Sequence, residues 1–164
     1  MRRFGSEEEH ARVVIAGGGF AAVEAMLTLR ALAPERIEVV LVSASATLAY
    51  KPAATAEAFS GAPPLTYDLE ALACGAGAAF RHDRVEAVAG RAHSIRLASF
   101  ASLEYDQLVL ATGARPVIGI PGALTFRDQR EVHHIRHVID RRAEGEIGPV
   151  VFAVPHGRAW PLPV

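Results

Sequence analysis

The sequence predicts an α/β fold built around a parallel sheet, and three observations support this prediction. A short apolar run, Val13–Ile15, is typical of a buried strand. Glycines follow it directly, and then comes Phe20–Leu32, which consists mostly of strong helix formers. A second apolar run, Ile37–Val42, follows Pro34, which cannot continue the helix. Strand, helix and strand in this order predict a βαβ unit with a right-handed crossover.

Further along, the pattern predicts two more parallel strands with an antiparallel meander between them. The expected strands are a third parallel strand at Ala78–Phe80, meander strands at Arg84–Ala89, His93–Leu97 and Leu103–Asp106, and a fourth parallel strand at Leu108–Leu110. A loop with a short helix is expected over Thr47–Pro64, and another short helix over Tyr67–Cys74. The predicted sheet order is 3-2-1-4, with a helix on one face and the meander on the other.

The last part of the chain predicts a connector, a helix and a strand. Pro116–Pro121 is rich in proline and glycine and marks an expected domain boundary. Arg130–Ala143 is amphipathic and predicts a helix, and Val150–Val154 is an apolar run that predicts a further strand.

Composition restricts the class of protein. The chain has 164 residues, of which 51% are hydrophobic, and a net charge of −1 without a basic block. A globular protein that does not bind nucleic acid is therefore expected. No apolar run approaches the ~20 residues of a membrane span, and Met1–His10 lacks the apolar core of a signal peptide. These features predict a cytoplasmic protein with a mobile tail over residues 1–10.

The turn between the first strand and the first helix carries a dinucleotide-binding fingerprint, Gly17-x-Gly19-x-x-Ala22. Gly17 permits the tight turn, Gly19 lets a pyrophosphate approach the backbone, and Ala22 lets the helix pack closely on the strand. The amide groups and dipole at the helix start favour a phosphate there. The residues predicted to bind it are Gly17, Gly18, Gly19, Phe20, Ala21 and Ala22. An ordinary glycine-rich turn without a ligand is the alternative interpretation.

The position after the second strand bears on the choice of dinucleotide. An acidic residue commonly binds the ribose hydroxyls here, whereas this chain has Ser43. A serine hydroxyl can form a similar hydrogen bond without charge assistance. No arginine follows closely, so the sequence does not indicate a 2′-phosphate pocket for NADP.

A second motif follows the glycine turn along the chain: LEYDQLVLATGARP, Leu103–Pro116. In this order the two motifs resemble those of the pyridine nucleotide-disulphide oxidoreductase superfamily, especially its sulfide:quinone reductase-like and type II NADH dehydrogenase-like members. The resemblance implies a Rossmann-like, FAD-binding domain over residues 11–121, of the two-dinucleotide-binding-domain type. It implies an FAD-dependent oxidoreductase that passes electrons from NAD(P)H or sulfide to an acceptor such as a quinone.

The resemblance also implies roles for individual residues. The glycine turn would bind the ADP half of FAD, and Ala111, Thr112 and Gly113 would pass close to the cofactor. Backbone within Asp83–Val85 would contact the adenine, and the Tyr50-Lys51-Pro52 loop would reach toward the flavin. The cofactor-binding residues implied outside the glycine turn are Ser43, Lys51, Pro52, Arg84, Val85, Ala111, Thr112 and Gly113. No catalytic acid, base or redox cysteine can be named.

Two departures from the family pattern concern the end of the sequence. The chain has no Gly-Asp pair of the kind that holds the flavin's ribityl chain and pyrophosphate, and no second glycine fingerprint follows Val150–Val154. We therefore expect residues 122–164 to be a linker helix and the first strand of a truncated NAD(P)H-binding domain. The strand Leu108–Leu110 would then be an open sheet edge, covered either by Val150–Val154 or by a second copy of the chain. A homodimer or a complementing chain is therefore the expected partner. The alternative is a non-catalytic dinucleotide-binding module or an inactive fragment.

Two further candidates have simpler explanations. His133 and His137 are one helical turn apart and could share a metal, but no third ligand is evident. A solvated helix face is therefore the favoured interpretation, and no metal is expected. Cys74, the only cysteine, is expected to be a buried structural thiol rather than a redox group.

Overall fold

A computed structural model describes residues 10–50, 63, 65–114, 118, 120–125 and 131–153. The chain divides into two compact units, the first formed by Met1–Leu48 with Tyr67–Gly113 and the second by Ala49–Thr66 with Ala114–Val164. The elements in chain order are β1 (Ala11–Ala16), α1 (Phe20–Leu32), β2 (Ile37–Ser43), β3 (Thr47–Ala49), β4 (Thr66–Asp68), α2 (Leu69–Gly75), β5 (Ala79–His82), β6 (Val85–Ala89), a 3₁₀ turn (Gly90–Ala92), β7 (Ser94–Leu97), β8 (Ser102–Glu104), β9 (Gln107–Leu110) and α3 (Val132–Ala143).

A four-stranded parallel sheet forms the centre of the first unit. Its order is β5-β2-β1-β9, and β1 pairs in parallel with β2 on one side and β9 on the other. This is the predicted 3-2-1-4 order, so that prediction is confirmed. β6, β7 and β8 form the predicted antiparallel meander as a separate sheet. The fold is Rossmann-like, as the sequence predicts.

The two faces of the sheet bury different partners. On one face, alternate residues of the central strands pack against α1 and α2; this cluster comprises Val13, Ile15, Val39, Leu41, Ala22, Val23, Met26, Leu69 and Ala73 with Leu48. On the other face, the intervening residues Val14, Val40 and Val42 pack against Ile95 and Leu97 of β7. Successive side chains of a strand point to opposite faces, so a strand covered on both faces is apolar throughout. The predicted placement of helix and meander is thus confirmed.

Two predictions around residues 47–75 need correction. Thr47–Ala49 is a short strand rather than loop, and it pairs with β4 in a two-stranded sheet. The helix predicted from Tyr67 begins at Leu69, because Tyr67 and Asp68 belong to β4. Asp68 is the N-cap, and its carboxylate accepts a hydrogen bond from the Ala71 amide at 2.7 Å. Extended φ/ψ at an N-cap is the rule, which is why the strand can continue up to the helix.

In the second unit, α3 confirms the predicted amphipathic helix. Val132, Ile135, Val138 and Ile139 are half-buried. Residues 150–153 form no strand, so the strand predicted at Val150–Val154 is wrong for these residues, and Val154 lies outside the described residues. An apolar run becomes a strand only where a neighbouring strand offers hydrogen bonds, and nothing described pairs with it. Among the described helices, none combines the length and apolar character needed to cross a membrane.

Candidate functional site

The candidate site lies at the carboxyl ends of the parallel strands. The Gly17 amide donates to the carbonyl of Val42 at 2.8 Å, which joins the turn after β1 to the end of β2. The Ala111 amide donates to the carbonyl of Ala16 at 2.9 Å, which joins the residue after β9 to the end of β1. The two motifs singled out in the sequence, the glycine turn and Ala111–Gly113, therefore lie side by side.

Gly17 and Gly18 are required by the protein itself. Gly17 has φ of +141°, and a Cβ there would overlap the carbonyl oxygen of Ala111. At Gly18 a Cβ would overlap the Ser43 hydroxyl and would lie 2.8 Å from Cδ1 of Leu69. Both positions are therefore closed to larger residues, whether or not a ligand is bound.

Gly19 differs from both of its neighbours. A Cβ built on Gly19 meets no atom of the described residues within 4 Å. The backbone has φ of −90° and ψ of −177°, an extended conformation open to any residue. Packing within the protein does not explain a glycine here. The open space above Gly19 matches the room that a pyrophosphate needs against the backbone.

The start of α1 presents backbone donors at the same place. Gly19 is the N-cap and makes no side-chain cap hydrogen bond, and its carbonyl accepts from the amides of Ala22 and Val23. Among the described residues, none accepts a hydrogen bond from the amides of Gly18, Gly19 or Ala21. Orphan amides and the positive end of the helix dipole favour an anion. Ala22 is fully buried under the helix, as close packing of the helix on the strand requires.

Ser43, the residue predicted to meet a ribose, is turned into the protein. Only 5% of it is exposed, and its hydroxyl accepts a hydrogen bond from the Ser45 amide at 3.1 Å. The exposed residue that follows it is Ala44. The contact of Ser43 with a ribose stays a prediction, and it would have to come from a side chain with very little surface.

Asp83 holds the segment that carries Arg84 and Val85. Its amide donates to the Ser43 carbonyl at 2.9 Å, which fixes the end of β5 beside the end of β2. Its carboxylate accepts hydrogen bonds from the Ser99 hydroxyl at 2.6 Å and from the Arg84 amide at 2.7 Å. These bonds, the Ser99 bond foremost, lower the pKa of Asp83 below its ordinary value of 3.8. The predicted adenine contacts of Arg84 and Val85 thus lie in a well-fixed loop and remain predictions.

The remaining predicted site residues are Ala111, Thr112 and Gly113, which the structure describes, and Lys51 and Pro52, which it does not. Ala111 is half-buried against the glycine turn, and Thr112 and Gly113 are exposed. Gly113 has φ of +75°, a left-handed conformation that favours glycine. Lys51 and Pro52 lie outside the described residues.

The other candidate residues, the histidines of α3 and Cys74, are all exposed. His133, His134 and His137 are exposed on α3, and among the described residues no group of three potential ligands could hold a metal ion. Cys74 is exposed, so the expectation of a buried thiol is wrong. It lies on the solvent side of α2, whose buried face consists of Leu69 and Ala73.

Comparisons with known proteins identify the family and agree with the fold. A family model described as pyridine nucleotide-disulphide oxidoreductase matches residues 11–146. The sulfide:quinone oxidoreductase of the hyperthermophilic bacterium Aquifex aeolicus is similar in structure, with a TM-score of 0.73 and 21% identity over 82% of this chain and 32% of that one. A ferredoxin reductase for the CYP199A2 system of Rhodopseudomonas palustris gives a TM-score of 0.63 and 25% identity over 82% of this chain and 35% of that one.

A third similar structure is NDH2 of Plasmodium falciparum in complex with NADH, with a TM-score of 0.64 and 15% identity over 85% of this chain and 32% of that one. A search of curated proteins found no match. The chain thus spans about a third of the length of these solved structures.

Proposed function

Because the chain belongs to the pyridine nucleotide-disulphide oxidoreductase family, we propose that its first unit binds FAD and serves a flavin-dependent oxidoreductase. In the proposed reaction, electrons pass from NAD(P)H or sulfide through the flavin to an acceptor such as a quinone. The flavin supplies the electron-transfer chemistry when bound, and the protein supplies binding, orientation and electrostatics.

One observation carries the proposal: at the start of α1, no atom of the described residues fills the space above Gly19, and none of these residues accepts from the amides of Gly18, Gly19 or Ala21. A pyrophosphate fits this place because it is anionic, rich in acceptor oxygens and able to approach a residue without a Cβ. In the proposed complex, the amides at the start of α1 hold the phosphates. The fixed loop at Asp83–Val85 borders the adenine, and Thr112 and Gly113 border the cofactor further along.

FAD is proposed as the bound nucleotide in preference to NADP. The exposed residues directly after β2 are Ala44 and Ser45, and neither supplies the positive charge that a 2′-phosphate requires. The glycine turn, the meander and the Ala111–Gly113 segment also follow one another in the order that the FAD domains of the family show. A dissociation constant for NADP below that for FAD would overturn this choice.

The experiment is a titration of the purified 164-residue chain with FAD, followed by flavin absorbance. We expect saturable but exchangeable binding. Addition of NADH then separates two functions, because bleaching of bound FAD indicates the oxidoreductase, whereas unbleached FAD indicates a dinucleotide-binding module. Failure to bind FAD at all would contradict the proposal.

Steady-state NADH oxidation with ferricyanide or a quinone completes the test. The polypeptide corresponds to about a third of the solved relatives' length, and we expect little or no turnover from it alone. Turnover of ~10 per second or more, typical of intact enzymes, would show that these 164 residues suffice for catalysis.

A further inference from the structure

The end of β2 lacks the acidic side chain that commonly holds an adenosine ribose. Ser43 does not replace it well, since 95% of its surface is buried. Its hydroxyl also packs beneath Gly18 and accepts from the Ser45 amide. Ala44 is exposed but has no polar side chain. Ser45, the next exposed residue, already uses its hydroxyl, which donates to the Thr47 carbonyl and accepts from the Thr47 amide. The neighbouring strand is therefore the other source of a polar side chain for the ribose.

β5 brings such a group to this corner. His82 is the last residue of β5 and pairs in register with Ser43. Phe80, on the same face of the strand as His82, packs in the cluster that contains α1 and α2. The exposed His82 ring therefore lies on the side of the sheet where the glycine turn begins α1, whereas Arg81 lies on the opposite face.

The tautomer of His82 follows from its contact. Nε2 lies 3.2 Å from the carbonyl oxygen of Ala44. A carbonyl oxygen only accepts hydrogen bonds, so Nε2 carries the proton, and in a neutral ring Nδ1 is then an acceptor. Among the described residues, none donates a hydrogen bond to this Nδ1. In the neutral ring, this tautomer places an acceptor close to the end of β2, where a carboxylate usually stands.

We infer that His82 is the side chain that contacts the adenosine ribose of the bound dinucleotide, by accepting a hydrogen bond from a ribose hydroxyl. The inference rests on the proposed function. Other charged groups near this corner already have partners within the protein: Arg84 pairs with Glu86 at 3.1 Å, and the Asp83 carboxylate is held by Ser99. Within the described parts of the chain, His82 offers this corner a side-chain acceptor that no other residue occupies.

Calorimetric titration with ADP, 2′-deoxy-ADP and 3′-deoxy-ADP tests the inference. We expect the unmodified chain to bind ADP about fivefold more tightly than one of the two deoxy analogues, the size expected for one hydrogen bond. His82→Ala should abolish this preference. His82→Gln, whose amide supplies an acceptor, should keep part of it. His137→Ala, which removes an exposed histidine from α3, is the matched control and should keep all of it.

The possible outcomes separate the two proposals. An unchanged preference in His82→Ala, or a preference that disappears only in Ser43→Ala, would overturn the assignment of His82. Binding of ADP with the expected preferences but no binding of FAD would overturn the proposed cofactor and leave the ribose contact standing. Failure of the unmodified chain to bind either ADP or FAD would overturn both.

Discussion

Three consecutive glycines illustrate how different physical requirements can look the same in a sequence. Gly17 has a positive φ, and a Cβ there would overlap Ala111. At Gly18 a Cβ would come too close to Ser43 and Leu69. Gly19 has open space above it. The fingerprint assigns roles to Gly17 and Gly19, whereas the need for Gly18 arises from contacts with residues far along the chain. Sequence spacing alone does not show such contacts.

At Gly18, we predict that Gly18→Ala lowers the free energy of unfolding by about 1–3 kcal/mol, as overpacking of a close contact does. The added methyl must displace Ser43 or Leu69. Gly90→Ala is the control, since a Cβ at Gly90 meets no atom within 4 Å. Urea unfolding of both variants gives the comparison, and equal midpoints for Gly18→Ala and the unmodified chain would contradict the contact.

Asp83 leads to a prediction about pH. Its pKa lies below 3.8 because the Ser99 hydroxyl and the Arg84 amide bond the charged carboxylate. A group with a lowered folded-state pKa stabilises the fold above its unfolded pKa, and that stabilisation is lost as the pH falls through the folded value. We predict that Ser99→Ala raises the Asp83 pKa toward 3.8, measured by NMR titration. A pKa that stays where it was would show that the Ser99 bond is not the main cause.

At the scale of elements, burial decided which sequence predictions were accurate. β1 and β2 were predicted because a strand buried on both faces is apolar throughout. β9 was predicted from its apolar run, although only Leu108 and Val109 are half-buried and its two ends are exposed. α1 was predicted because helix formers lie between a glycine turn and Pro34. β3 and β4 were missed, since they pair only with each other in a two-stranded sheet and no larger strand pattern surrounds them. β8 is equally short but was predicted as part of the meander. Val150–Val154 has the composition of a strand, but composition does not provide a partner strand.

The N-terminus of α2 offers a test at this scale. Asp68 accepts a hydrogen bond from the Ala71 amide at 2.7 Å and so satisfies one orphan donor of the helix. We predict that Asp68→Ala costs about 1 kcal/mol of stability, and that Asp68→Asn, an equally good N-cap, costs much less. Urea denaturation measures both variants. Equal losses in the two would mean that the charge rather than the cap is what matters.

At the scale of the molecule, the sheet order and the meeting of the two motifs followed from the sequence. Parallel strands end at one edge, so a fingerprint after β1 and a second motif after β9 meet there. The proposed ribose contact of His82 did not follow from the sequence. Ser43 was chosen by its position after β2, but its side chain faces inward, and His82 reaches the same corner from β5. Pairing between distant strands, which local pattern does not reveal, brought His82 there.

The central claim is that the open space at Gly19 receives the pyrophosphate of FAD, and one measurement tests it directly. FAD titrations compare Gly19→Val with Gly90→Val, since a Cβ at either glycine would meet no atom within 4 Å in the part of the chain that the structure describes. Valine is compatible with the extended backbone of Gly19, so we predict that Gly19→Val folds with a nearly unchanged urea midpoint and does not bind FAD. Gly90→Val should bind like the unmodified chain. A folded Gly19→Val variant that binds FAD with unchanged affinity would contradict the claim and place the phosphates elsewhere.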